Sequence, residues 1–125
     1  MTDETYLFFA GKPGALDLYQ VFERRVLAEV DGVRIRVQKT QISFSNRHNF
    51  AFVSLLPVRR KAERPDVWIT VSFGLRRRLD SPRVDAAVEP YPERWTHHIL
   101  VSSPDQIDAE LMGWIREAAV FANGK

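Results

Sequence analysis

Two adjacent imidazoles, His97 and His98, are the residues in this sequence that most directly invite a chemical role. Both fall in an alternating run, Arg94–Ser102, that reads as a strand. Neighbouring side chains of a strand point to opposite faces, so the pair cannot chelate one ion. The third histidine, His48, lies in a polar hairpin loop, and the spacing places no carboxylate beside any of the three. A hydrogen-bonded structural role is therefore expected for His97, and no metal ligand is assigned. Acid–base work by either imidazole with a Ser or Thr would lack a third group to orient it. The signatures of zinc peptidases, serine hydrolases, P-loop enzymes and dinucleotide binders are absent. No catalytic residue and no cofactor is expected.

Charge supplies the stronger signal. Residues 34–83 hold twelve lysines and arginines against Glu63, Asp66 and Asp80, a net of +9, while the remainder is net −7 and the chain +2. Such segregation marks either an anionic partner or a basic sheet neutralised by acidic helices. In Val67–Leu75 the residues Val67, Ile69, Val71, Phe73 and Leu75 share one face, leaving Trp68, Thr70, Ser72 and Gly74 on the other. Arg34, Arg36 and His98 fall in the same polar phase of their own strands. A Trp among cations on an open sheet suits single-stranded nucleic acid, whose bases stack while phosphates meet the charges. The candidate anion-binding or nucleic-acid-binding residues are Arg34, Arg36, Lys39, Arg47, Trp68, Arg76, Arg78 and His98. No RNA-recognition signature accompanies them. The expected function is a non-catalytic binding module with a basic, Trp-bearing sheet face.

The elements that must position these residues follow from periodicity. A hairpin region from Ile42 to Leu75 contains three strand-like runs, Ile42–Phe44, Phe50–Pro57 and Val67–Leu75, separated by polar and Pro-broken loops. Val33–Gln38 alternates as a further strand, and a phase jump before Ile42 predicts a bulge or break near Lys39-Thr40. Residues 2–10 read as a short helix capped by Thr2, and Ala15–Val30 as a longer one after a Lys12-Pro13-Gly14 breaker, with Leu16, Tyr19, Phe22, Val26, Leu27 and Val30 on its apolar stripe. The Pro-rich stretch 79–93 reads as an irregular crossing, and Ser103 caps a last helix running to about Ala122. These elements predict one α+β domain over residues 1–125: two layers, an antiparallel sheet of four or five strands, and N-terminal and C-terminal helices on one face. Because Phe50–Pro57 is apolar at nearly every position, the second face also needs cover. Val53, Leu55 and Trp68 then form a patch for a protein partner or homodimer, rimmed by arginine, as the alternative function. No apolar run approaches the roughly 20 residues of a membrane span. Absence of cysteine and an acidic N-terminus point to a cytoplasmic protein without membrane association.

Several stretches together, "KTQISF…NFAFVSL", "LRRRLDSPR" and above all "RWTHHILVSSPDQIDAELMGWIREA", resemble the bacterial family known as domain of unknown function 5655. The likeness spans about Gly11 to Phe121. It implies a stand-alone α+β module and supplies no catalytic residues. Some relatives look to carry the module fused to other domains, which suits a binding or adaptor role.

Overall fold

Capping chemistry sets the helix starts. The computed structural model describes residues 1–124. Helix α1, Asp3–Phe8, begins where Thr2 Oγ1 accepts a hydrogen bond from the Thr5 amide at 3.4 Å, with Asp3 and Glu4 in the first turn. Gly11 then reverses the chain at φ 75, a left-handed conformation that suits glycine. Helix α2 spans Pro13–Glu29, so the expected breaker opens the helix instead: Pro13 sits in the first turn, where its missing N–H has no intrahelical partner to lose. Ala15, Leu18, Tyr19, Phe22 and Val26 are buried along it. Leu27, expected on this stripe, is exposed, because one residue beyond Val26 is roughly 100° further round the helix.

Six strands form one antiparallel sheet in the order β1-β2-β3-β4-β6-β5, where four or five were expected. They are β1 (Arg34–Val37), β2 (Gln41–Ser45), β3 (Asn49–Ser54), β4 (Ile69–Leu75), β5 (Ala86–Tyr91) and β6 (Arg94–Val101). The extra strand is β5, within the stretch read as irregular. Pro90 is tolerated there because β5 is an edge strand, whose outer amides need no partner, and the register shifts between Val88 and Tyr91. Of the bulge or break expected near Lys39-Thr40, the structure shows a break, a hairpin turn: Val37 pairs directly with Ile42, and the Gln38 amide donates to the Gln41 carbonyl at 2.8 Å. The irregularity of this region lies instead between Phe44 and Ser45, opposite β3.

The last helix also starts later than expected. Ser103 heads only a 3₁₀ turn, Pro104–Gln106, in which Gln106 Oε1 accepts from the Ser102 and Ser103 amides at 2.6 and 3.3 Å. Helix α3, Ala109–Asn123, is capped by Asp108, whose Oδ1 accepts from the Leu111 amide at 3.0 Å.

Helices α2 and α3 cover one face of the sheet. Phe22 meets Phe44 edge-on and Trp114 stacks against Phe73, over a core that includes Ile42, Val53, Val71, Leu111 and Ile115. Ala51 pairs with Phe73 and Val53 with Val71, so both point toward the helices. This reverses the facing expected for β3 and removes Val53 from any patch on the far side. Phe52 faces that far side, beside Ser43 and Ser72. There the chain following β3 folds back over the sheet. Thr70 Oγ1 donates to the Leu56 carbonyl at 2.7 Å, and Arg59 Nε to Asp85 Oδ1 at 2.7 Å. Asp85 Oδ2 in turn accepts from the Leu100 amide at 2.7 Å. Among the described residues no helix is long and apolar enough to cross a membrane.

Truncating a fully buried core ring costs about 3–5 kcal/mol. Phe73→Ala is expected to fall in that range, and Phe52→Ala, only partly buried, well below it. Denaturant midpoints of the two variants check the assignment of faces; equal losses would contradict it.

Candidate anion-binding pocket

Sheet register decides which polar residues meet. Arg36, Ser43, Phe52, Ser72, His98 and Ala86 are successive cross-strand neighbours, a single row across the face away from the helices. Within it, Ser72 Oγ and His98 Nδ1 are 2.6 Å apart. His97 lies on the other face, as the strand period requires, with its ring stacked on Phe73 at 5.3 Å between centroids. Its Nε2 accepts the Leu79 amide at 2.9 Å, while Nδ1 is buried without a partner at hydrogen-bonding geometry. Burial lowers the pKa of both imidazoles; for His97 the nearby Arg77, His98 and Arg78 lower it further, against an opposing Phe73 carbonyl. Both rings are thus neutral hydrogen-bonding groups. The structure gives His98 a partner in Ser72 rather than a place among free cations.

The same register sorts the other candidate residues between two ends of the sheet. Lys39 is exposed in the β1–β2 turn. Trp68 precedes β4, outside the strand expected to hold it, and shares a hollow with Gly11, Pro13, Ala15 and Leu55. At the opposite end stand Arg34 at the start of β1, Arg47 in the β2–β3 turn, and Arg76 and Arg78 just after β4. Arg34 Nη2 donates to the Asn46 carbonyl at 2.9 Å. Arg94, at the start of β6, joins this end, as does the last turn of α3, where Asn46 Nδ2 donates to the Ala119 carbonyl at 2.8 Å. The expected grouping of Trp68 with the arginines is therefore corrected: β4 runs away from Trp68 toward them.

The aromatic partners of the arginines are Trp95 and Phe121. Arg76 Cζ lies 5.6 Å and Arg94 Cζ 5.9 Å from the centre of the Phe121 ring, and Arg78 Cζ lies 5.7 Å from that of Trp95. Beside them is a hollow of about 450 Å³ lined by Gly74, Pro90, Tyr91, Arg94, Trp95, Thr96 and Phe121. No carboxylate lines it. Elsewhere in the basic segment carboxylates are engaged: Arg59 with Asp85, Arg60 with Glu63, Arg77 with Glu117, and Arg83 with Asp108 and Glu110. Among the described residues, Arg76, Arg78 and Arg94 have no such partner. A ring quadrupole holds a guanidinium in place without neutralising it. The pocket therefore presents positive charge, fixed by aromatic faces, beside an apolar floor. Trp95, Tyr91 and Arg94 were missed in the sequence because they lie outside the basic segment. Only the pairing of Gly74 with Thr96 brings them to the end of β4.

The two lowered histidine pKa values make stability pH-dependent. Below the ordinary value of 6.5 the unfolded chain takes up protons that the folded chain does not, so stability is complete above that pH and declines as pH falls through it. The denaturant midpoint is expected to drop between pH of about 7.5 and about 5.5, and His98→Asn to flatten that decline. A flat wild-type profile would contradict the burial of both rings.

The family model described as domain of unknown function (DUF5655) matches residues 7–121, and the chain belongs to this family. Comparison with curated proteins and with solved structures finds no match.

Proposed function

From a family whose description assigns no chemistry, we propose that this chain is a non-catalytic binding module whose arginine-rich sheet end holds an anionic partner, single-stranded nucleic acid. The observation that carries the reading is the set Arg76, Arg78 and Arg94, each with its guanidinium over an aromatic ring that lines an apolar hollow, Arg94 itself in the lining, and none with a carboxylate partner among the described residues. Proteins that hold single strands combine these elements: cations track the backbone while bases stack on rings. Arg34 and Arg47 extend the positive margin along the same end of the sheet. A chain without cysteine suits a reducing compartment, and the bacterial cytoplasm is the proposed setting. Of the three residues of the rival homodimer patch, Val53 is in the core, while Leu55 and Trp68 are half-buried and share a hollow at the other end of the sheet; the charged end is the surface we favour.

Fluorescence anisotropy with a labelled mixed-sequence oligonucleotide tests the proposal. Affinity should fall with salt, each phosphate contact contributing roughly −0.7 to the log–log slope. Arg76→Ala and Arg94→Ala should each weaken binding and flatten that slope. Trp95→Ala should cost about 1–3 kcal/mol with little change of slope, the signature of lost stacking. Lys39→Ala, at the far end, should alter neither. Absence of binding at low salt overturns the proposal, and a concentration-dependent dimer in light scattering would then favour the interaction-module reading.

A further inference from the structure

We infer that the hollow between β4, β5, β6 and α3 is a subsite for a single nucleotide, its base against Tyr91, Trp95 and Phe121 and its phosphate on Arg76, Arg78 and Arg94. This rests on the reading above and makes it specific: one unstacked nucleotide is taken into a pocket, beyond the strand lying across a charged surface.

Size, lining and charge agree on this ligand. A volume of about 450 Å³ falls within the range of roughly 300–1,000 Å³ typical of small-molecule sites. Three aromatic side chains border it, and flat rings or guanidinium planes are the surfaces on which proteins stack an unpaired base. A neighbouring hollow is lined by Arg78 together with Asp80 and Asp85, carboxylates that would repel a phosphate. The carboxyl end of α3, where exposed carbonyls would disfavour an anion, is partly answered. Asn46 caps the Ala119 carbonyl, and the Gly124 amide donates to the Val120 and Phe121 carbonyls at 3.2 Å.

Gly74 lines the hollow from β4. It sits within β4, where a β-branched residue would favour the strand, and its φ is not in the left-handed region, so the backbone does not demand glycine. A Cβ built there meets only the Trp95 carbonyl oxygen, at 4.0 Å. The Gly74 backbone lines the hollow without a side chain of its own, and it pairs with Thr96 in the row of β4 and β6 positions that faces away from the helices. The base would therefore rest on the rings of Tyr91, Trp95 and Phe121 rather than against a side chain of β4 at this position.

Titration calorimetry with adenosine 5′-monophosphate, alongside adenosine and inorganic phosphate, tests the inference together with amide chemical-shift mapping. The expected result is one site, with the monophosphate bound at least about tenfold more tightly than adenosine, the worth of a single charge-assisted contact. Shifts should centre on Gly74, Tyr91, Trp95 and Phe121. Tyr91→Ala, at an exposed residue of the edge strand, should keep the melting temperature and lose at least about tenfold in affinity, a lost stacking contact's worth. Should that variant fail to fold, the wild-type shift map decides. An oligonucleotide that binds while the monophosphate does not, or shifts centred on Arg34 and Arg36, would overturn the nucleotide subsite and leave the broader binding reading standing. Failure of both ligands overturns both.

Discussion

Burial of β4 on both of its faces is the constraint on which the rest of the structure depends. Toward the helices it offers Ile69, Val71, Phe73 and Leu75, and apolar packing suffices. Its other face carries Thr70 and Ser72, which are buried as well. A buried hydroxyl without a partner costs about 1–3 kcal/mol, so each must find one. Thr70 bonds the Leu56 carbonyl, which requires the chain after β3 to return over the sheet. Ser72 bonds His98, which requires an imidazole at that position of β6. Two hydroxyls thus dictate the course of a loop and the identity of a residue one strand away.

The segregation of charge has two outcomes in one molecule. Part of the basic segment is neutralised by helical acids. Arg83 donates to Asp108, Glu110 and the Gln106 carbonyl while lying over Trp114, pinning the chain ahead of β5 to the start of α3. Arg77 makes a two-pronged pair with Glu117, in the second half of the same helix. Arg116 and Arg25 share Glu29 and tie α3 to α2. Of the cations without a carboxylate partner among the described residues, Arg76, Arg78 and Arg94 are the ones held over aromatic rings. Acids of α3 and its cap take up Arg77 and Arg83 of the basic segment, and the pocket lies beside arginines that they do not reach.

Much of this was legible in the sequence where a period exists to be read. The two-residue alternation of β4 and β6 placed Phe73 and His97 on one face and Ser72 and His98 on the other. The helical spacing of Leu111, Ile115 and Ala118 marked the stripe of α3. Where the period vanishes, the reading failed. A continuously apolar run such as Phe50–Leu56 contains no phase, so its facing came out reversed. Pro90 suppressed the signal of β5, although an edge strand accommodates proline. Two capping signals stood in succession, Ser103 and Asp108, and the earlier served only a single tight turn. The pocket itself had no local signature: Gly74, Arg94 and Phe121 are distant in sequence and meet through pairing alone.

The edges of the sheet have a consequence of their own. β1 is four residues long and turns two arginines to solvent, and β5 interrupts its outer rim with a proline and a register shift. Short length, charge and missing amides are the devices by which open sheets resist edge-to-edge annealing with another chain. A six-stranded sheet left unclosed is a template for amyloid-like stacking if either rim is flat and apolar. Here both rims are blunted, so a peptide that sought to join as a seventh strand would meet either a cation or a gap in the ladder. Recognition by strand addition is thereby disfavoured at both sides, and the surface the sheet leaves open is one of side chains, at its ends and faces, rather than of backbone.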